Sequence, residues 1–266
     1  MTAREKLLNK FNQKKHICVG LDTDLQKIPK YFLDEKEPIL AFNKTVIEAT
    51  AKSAAAYKLN FAFYEKFGPK GFELISETLK FIPDDVLTIA DAKRGDIGNT
   101  SEMYAKAIFD ELNFDSVTLH PYMGYDSLQP FLKYKDKVHF ILALTSNKGA
   151  MDFENQLLAD GKFLYQKVIE KVTEWNTDKN CGIVFGATKI EDLKQNISSF
   201  NDLIVLLPGV GAQGGNLDEV TEAFEFAGNI NYLINVSRAL LYCDDSIAFP
   251  KSLSELMDTY TKQSLK

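Results

Sequence analysis

Val86-Leu87-Thr88-Ile89-Ala90-Asp91-Ala92-Lys93-Arg94-Gly95-Asp96 is the stretch from which the fold can be read. Its first five residues form an apolar, branched run of the length of a buried strand. Two carboxylates and two cations follow at once. Alternation along a strand sets Asp91 and Lys93 on one face and turns Ala92 away, which puts an ammonium beside a carboxylate at the strand's end. Asp96 lies past Gly95 and has left the strand. It rejoins the pair only if the loop curls back or a second subunit supplies it. Taken alone, D-x-K-x-x-D also describes a solvated turn with a surface ion pair of little energetic value.

Outward from this stretch the chain repeats one alternation. Short runs rich in branched and aromatic residues are expected as strands over 17–21, 56–60, 86–91, 116–120, 138–145, 182–186, 203–207 and 232–236. Segments of helical period are expected as helices over 39–51, 71–81, 101–112, 127–134, 161–175, 190–198 and 217–226, with a last helix over 253–261. Strands alternating with helices predict parallel pairing through crossover connections. Eight such repeats within 266 residues describe a single-domain (β/α)8 TIM barrel spanning the chain. An open doubly wound sheet with a small appended domain is the competing architecture, although no linker marks a boundary. The longest candidate loop, 146–160, follows the fifth strand, where an insertion lies on the catalytic face and can act as a lid.

Composition narrows the classes. A chain that is 45% hydrophobic and 26% charged can bury one large core. A formal net charge of -6 argues against a general nucleic-acid binder, which needs a basic face, but leaves room for a small anion in a locally positive pocket. Cys18, Cys181 and Cys243 are odd in number and lack C-x-x-C spacing, which fits a reducing compartment. The first fifteen residues lack the pattern of a secretory signal, and no apolar run approaches membrane-spanning length. A cytoplasmic location is the expectation.

In a barrel the functional side chains stand at the C-terminal ends of the strands. Those ends carry Asp22; Lys58 and Asn60 on one face of the second strand; Asp91 and Lys93; Thr145 and Ser146; Pro208 with the glycine-rich run Gly209-Val210-Gly211-Ala212-Gln213-Gly214; and Asn235-Val236-Ser237-Arg238. A lysine inside an apolar strand must be paired to be tolerated, and Asp91 is a suitable partner for Lys58. Asp22 alone also reads as a cap. His120, before Pro121, reads as a packed turn histidine, and His16 and His139 complete no metal triad. The segment 209–214 matches G-x-G-x-x-G, but it follows the seventh strand rather than the first and lacks the acid about twenty residues on that a dinucleotide site requires. A glycine-rich loop after strand seven and an arginine after strand eight coincide instead with the phosphate site of barrel enzymes.

The string over residues 91–100 resembles the signature of the orotidine 5'-phosphate decarboxylase family, in the bacterial subgroup that carries Asp-Ala-Lys-Arg-Gly-Asp. The resemblance runs from Cys18-Val19-Gly20-Leu21-Asp22 to Asn235-Val236-Ser237-Arg238. It implies a charged catalytic array of Lys58, Asp91, Lys93 and Asp96, with Asp96 and Thr100 reaching into the neighbouring subunit's site of a homodimer. It puts Asp22 on the ribose, Ser146 and Pro208 on the pyrimidine, and Gln213 and Arg238 on the phosphate, with Asn60, Gly214 and Ser237 also substrate-facing. Lys148 stands where the family pattern has proline, and Ala239 where it has glycine. The implied reaction converts orotidine 5'-monophosphate to uridine 5'-monophosphate and CO2 without metal or cofactor. Lys93 would stabilise the C6 carbanion and then protonate it. Two alternatives share these features: metal-dependent barrel enzymes of sugar phosphates such as hexulose-phosphate synthase or a keto-gulonate-phosphate decarboxylase, and a nucleotide-binding barrel without activity.

Overall fold

In a computed structural model, which describes residues 1–200, 202–210 and 215–264, the apolar runs form β1 (Ile17–Gly20), β2 (Ala56–Asn60), β3 (Leu87–Arg94), β4 (Ser116–Leu119), β5 (Val138–Leu144), β6 (Cys181–Phe185), β7 (Ile204–Pro208) and β8 (Tyr232–Val236). They pair in chain order, all parallel, and β8 returns to β1, so the sheet closes into a barrel with helices in the crossovers. The open-sheet alternative is thereby excluded.

Strand side chains divide between two cores. Inward-facing Cys18, Ala56, Leu87, Ile89, Phe140 and Leu206 fill the barrel. Gly182 makes room for them: a Cβ there would lie 2.9 Å from Phe140 Cδ1. Outward-facing residues such as Val19, Tyr57, Val117 and Ile183 meet the helices in the larger core. Each helix turns one stripe to that core, as in Leu164–Trp175, where Tyr165, Ile169 and Val172 are buried at helical spacing.

Several boundaries differ from expectation, each for a local reason. Pro38, Pro69 and Pro250 lie in the first turns of Pro38–Thr50, Pro69–Leu79 and Phe249–Gln263, where the missing N–H would have had no partner, so these helices start earlier than the apolar period suggests. The helix expected over 101–112 starts at Gly98 and ends in a π turn, Ala107–Glu111. Ala3–Asn12 forms a helix that polarity concealed. Its start is a capping box, with the Glu5 N–H donating to Thr2 Oγ1 and the Thr2 N–H to Glu5 Oε2. Ala3, Leu7 and Phe11 join the barrel's inner cluster, so this helix closes the end remote from the loops that follow the strands. Among the described residues no helix is long and apolar enough to cross a membrane.

Candidate active site

The C-terminal ends of the strands surround a cavity of about 590 Å³. Lys58 stands at its floor because alternation along β2 turns Tyr57 and Leu59 outward into the core and leaves Lys58 inside. Its Nζ donates to Asp91 Oδ2 at 2.8 Å and lies 3.6 Å from Asp22 Oδ1. Burial by itself would discharge such an ammonium, but the two carboxylates outweigh it and raise the Lys58 pKa. Asp91 shows the converse. Burial favours its neutral form, yet Lys58 and Lys93 overcome that and hold it well below the usual carboxylate range. Asp91 Oδ1 accepts from Lys93 Nζ at 2.6 Å, and the Lys93 side chain is half exposed to the cavity.

Asp91 and Lys93 meet, but not by the simple alternation expected of a strand end. β3 runs on to Arg94, and Lys93 adopts a left-handed backbone conformation with φ of 47°. Ala90 pairs with Val117 and Arg94 with Leu119, so Asp91, Ala92 and Lys93 together face the single residue Thr118. A left-handed residue with a side chain costs about 1 to 3 kcal/mol and persists only where its surroundings impose it. Here the Lys93 N–H donates to Thr118 Oγ1 at 3.0 Å, and Thr118 Oγ1 donates to Asp91 Oδ1 at 3.0 Å.

Asp22 is fixed from behind. Tyr242 Oη donates to the Asp22 carbonyl at 3.1 Å and accepts from the Asp24 N–H at 2.9 Å. Tyr64 Oη donates to the Leu21 carbonyl at 2.9 Å, and Asn43 Nδ2 donates to Tyr64 Oη at 3.0 Å. The Asp22 Oδ1 atom is buried without a hydrogen bond, its nearest charge being the Lys58 ammonium at 3.6 Å. At the β8 end, Ser237 Oγ and Asn235 Oδ1 are likewise buried and without partners, and both residues line the cavity. Gly20 permits this crowding, since a Cβ there would lie 2.8 Å from the Ser237 Cβ.

Asn60, Ser146, Pro208 and Arg238 also line the cavity. Gln213 and Gly214 lie outside the described residues. Asp96 and Thr100 do not line it: Asp96 Oδ1 accepts from the Ile97 N–H at 2.8 Å, and Thr100 is exposed in the helix Gly98–Lys106. His120 is exposed rather than packed, with Nδ1 accepting from the Tyr122 N–H at 3.2 Å. Asn235, named with the β8 end, lines it as well, and so do Thr118 and Lys148, to which the sequence reading gives no site role. Thr118 looks like an ordinary strand residue.

Four cations, Lys58, Lys93, Lys148 and Arg238, face the cavity against two carboxylates, Asp22 and Asp91. The acidic carboxylates are taken up by Lys58 and Lys93, and among the described residues neither Lys148 nor Arg238 has a carboxylate within 4.0 Å. The pocket is therefore suited to a polyanion. Among the described residues no three His, Cys, Asp or Glu side chains stand together as a metal site would require.

Comparison with known proteins agrees with this geometry. A curated orotidine 5'-phosphate decarboxylase of Christiangramia forsetii is 48% identical over 94% of this chain and 92% of its own length. One from Phocaeicola vulgatus is 46% identical, covering 92% of each. Among solved structures, the OMP decarboxylase of Leishmania donovani superposes with a TM-score of 0.84 at 34% identity over 100% of both chains. Residues 15–248 match the pattern of one family, and with the barrel and its charged array in place the chain belongs to that family, orotidine 5'-phosphate decarboxylase / HUMPS.

Proposed function

We propose that the chain decarboxylates orotidine 5'-monophosphate to uridine 5'-monophosphate, with Lys93 as the group that meets the charge formed at C6. The reaction follows from family membership and from relatives 46 to 48% identical over more than nine-tenths of the chain. The roles of the residues rest on one observation: Asp91, kept ionised between Lys58 and Lys93, aims the Lys93 ammonium into a cavity that carries an excess of cations.

When the C6–carboxylate bond breaks, its electron pair stays on C6 and CO2 leaves. A fixed ammonium beside that carbon is worth most in the transition state, where the charge appears, and it costs no reorganisation because Asp91 already holds it. Lys93 then gives its proton to C6 and is reprotonated from solvent. Asp91, ionised next to the departing carboxylate, also repels it in the ground state. Asp22 and Asn60 take the ribose hydroxyls, Ser146 and Pro208 the pyrimidine edge, and Ser237 with Arg238 the phosphate, joined there by Gln213 and Gly214. Grip on the phosphate, remote from the broken bond, orients the base against Lys93. The chemistry asks for no cofactor or metal.

Asp96 and Thr100 enter the same proposal as residues of a homodimer, each completing the site of the other subunit. Their absence from the cavity of their own chain supports this, as does the apolar surface beside them, where Ile97, Met103 and Tyr104 are exposed. The location proposed is the cytoplasm, in keeping with Cys18, Cys181 and Cys243, all free thiols.

The test follows the ultraviolet absorbance of orotidine 5'-monophosphate with purified protein in a chelator, beside Lys93→Ala. Decay to uridylate with the natural chain and none with the variant is the expected result. Turnover that needs a divalent metal, or an undiminished Lys93→Ala, would overturn the assignment.

A further inference from the structure

We propose that Thr118 is a positioning residue for the reaction: its hydroxyl holds the Lys93 backbone in the left-handed conformation and sets the direction in which the Lys93 ammonium points. This inference rests on the role given to Lys93 above.

In a regular parallel ladder alternate N–H groups of β3 would donate to carbonyls of β4, the others facing β2. Between Ala90 and Arg94 that ladder is interrupted, because three residues of β3 face Thr118 alone. At this interruption the Lys93 N–H donates to a side chain, Thr118 Oγ1, at 3.0 Å. The ladder resumes directly afterwards, with the His120 N–H donating to the Arg94 carbonyl at 2.9 Å. A side-chain oxygen is the acceptor at the place where β3 needs a left-handed turn.

The same hydroxyl has a single proton and gives it to Asp91 Oδ1 at 3.0 Å. That oxygen also accepts from Lys93 Nζ at 2.6 Å. Thr118 thus grips Lys93 at both ends, by its backbone and through the carboxylate that orients its ammonium. Thr118 is buried, 2% exposed, which limits the competition of water for either bond. The threonine hydroxyl makes both bonds at once, accepting from the N–H and donating to the carboxylate, which a methyl group in its place cannot do. The methyl of threonine packs as valine's would, which makes Thr118→Val a change of hydrogen bonding more than of shape.

The experiment is steady-state kinetics on Thr118→Val, Thr118→Cys and Thr118→Ser, with Lys93→Ala as the reference for the role of the lysine. A misplacement of the ammonium by a fraction of its contact distance is expected to lower kcat in Thr118→Val by about ten- to a hundredfold, with KM changed by less than about threefold. Serine restores both bonds and keeps kcat within about threefold of the natural chain, and cysteine, a weak donor and acceptor, falls between. The order Thr, Ser, Cys is readable even if the valine variant does not fold. Equal kcat in all folded variants, or a serine variant as poor as the valine or cysteine variant, overturns the inference while an inactive Lys93→Ala leaves the role of Lys93 standing. A fully active Lys93→Ala overturns both, and so is told apart.

Discussion

Lys58 Nζ stands 2.8 Å from Asp91 Oδ2 inside the barrel, with the lysine side chain 5% and the aspartate side chain 10% exposed. The pair is structural as well as chemical, since it allows a carboxylate to remain ionised where burial would protonate it. Among the described residues, replacing Lys58 by Met leaves Asp22 with no cation within 4.0 Å and Asp91 with Lys93 as its only one. Breaking one side of a buried pair costs about 3 to 5 kcal/mol. Urea denaturation of Lys58→Met is expected to show a loss of that size, with activity falling as Asp91, no longer held from its other oxygen, fixes the Lys93 ammonium less well. A variant as stable and active as the natural chain would show that the barrel tolerates both carboxylates without Lys58.

Acid should act on this fold in two stages. His139 is buried, with Nε2 against the Tyr134 carbonyl, and burial lowers its pKa to about 4. Its unfolded value is about 6.5, so the unfolded chain binds the proton first, and stability present above that pH is lost as the pH falls toward 4. His16, also lowered by burial, adds in the same direction. Asp91 acts later: its folded pKa lies below the ordinary value, so its contribution is lost only as the pH falls through and beneath the usual carboxylate range. Urea midpoints from pH 7 to 3 should fall less steeply between pH 6.5 and 4 in His139→Gln, and less steeply below that in Asp91→Asn. Parallel curves for all three proteins would remove both assignments.

Much of this was visible in the residues, and the exceptions are instructive. β2 and β8 are mainly apolar runs, broken by Lys58 and Asn60 and by Asn235, and fall where the sequence pattern sets them, and Lys58 announced its partner because an isolated lysine in such a run has few ways to be buried. The bulge at residues 91–93 gave no signal, because left-handed turns are normally marked by Gly or Asn and here the residue is Lys93. Thr118 was hidden for a related reason: threonine is a good strand former, so nothing in Ser116–Leu119 sets it apart. The Ala3–Asn12 helix was obscured because three buried side chains at its inner face are diluted by lysines, one of which, Lys10, is itself buried against Asp85 at 2.6 Å.

Arg238 is the cation of the cavity with the clearest assignment to the far end of the substrate. It lines the pocket beside Ser237 and lacks a carboxylate partner among the described residues. Loss of a charge-assisted bond to phosphate costs about 2 kcal/mol, which corresponds to a fall of about 30-fold in kcat/KM. Arg238→Gln is expected to show that fall mainly as a raised KM, and to be nearly indistinguishable from the natural chain on a substrate lacking the phosphate. Unchanged constants on orotidine 5'-monophosphate would remove Arg238 from the phosphate site.

Tyr242 tests whether the wall behind Asp22 matters to binding. Its hydroxyl is the only described group that bridges the Asp22 carbonyl and the Asp24 N–H, at 3.1 and 2.9 Å. Burial lifts its pKa to about 12, so it remains a donor at neutral pH. Tyr242→Phe keeps the ring against Phe42, a stacked contact of 6.4 Å between centroids, and deletes only the bridge. The unpaired Asp24 N–H should cost about 1 to 3 kcal/mol of stability, read from the urea midpoint. Because Asp22 would face the ribose, its loosened carbonyl is expected to raise KM severalfold while kcat, governed by Asp91 and Lys93 on β3, which β2 separates from β1, stays close to its natural value. A lowered kcat with unchanged KM would instead couple Asp22 to the charged array through Lys58, which lies 3.6 Å from its Oδ1, and would make Asp22 part of the electrostatic machinery rather than a ribose contact.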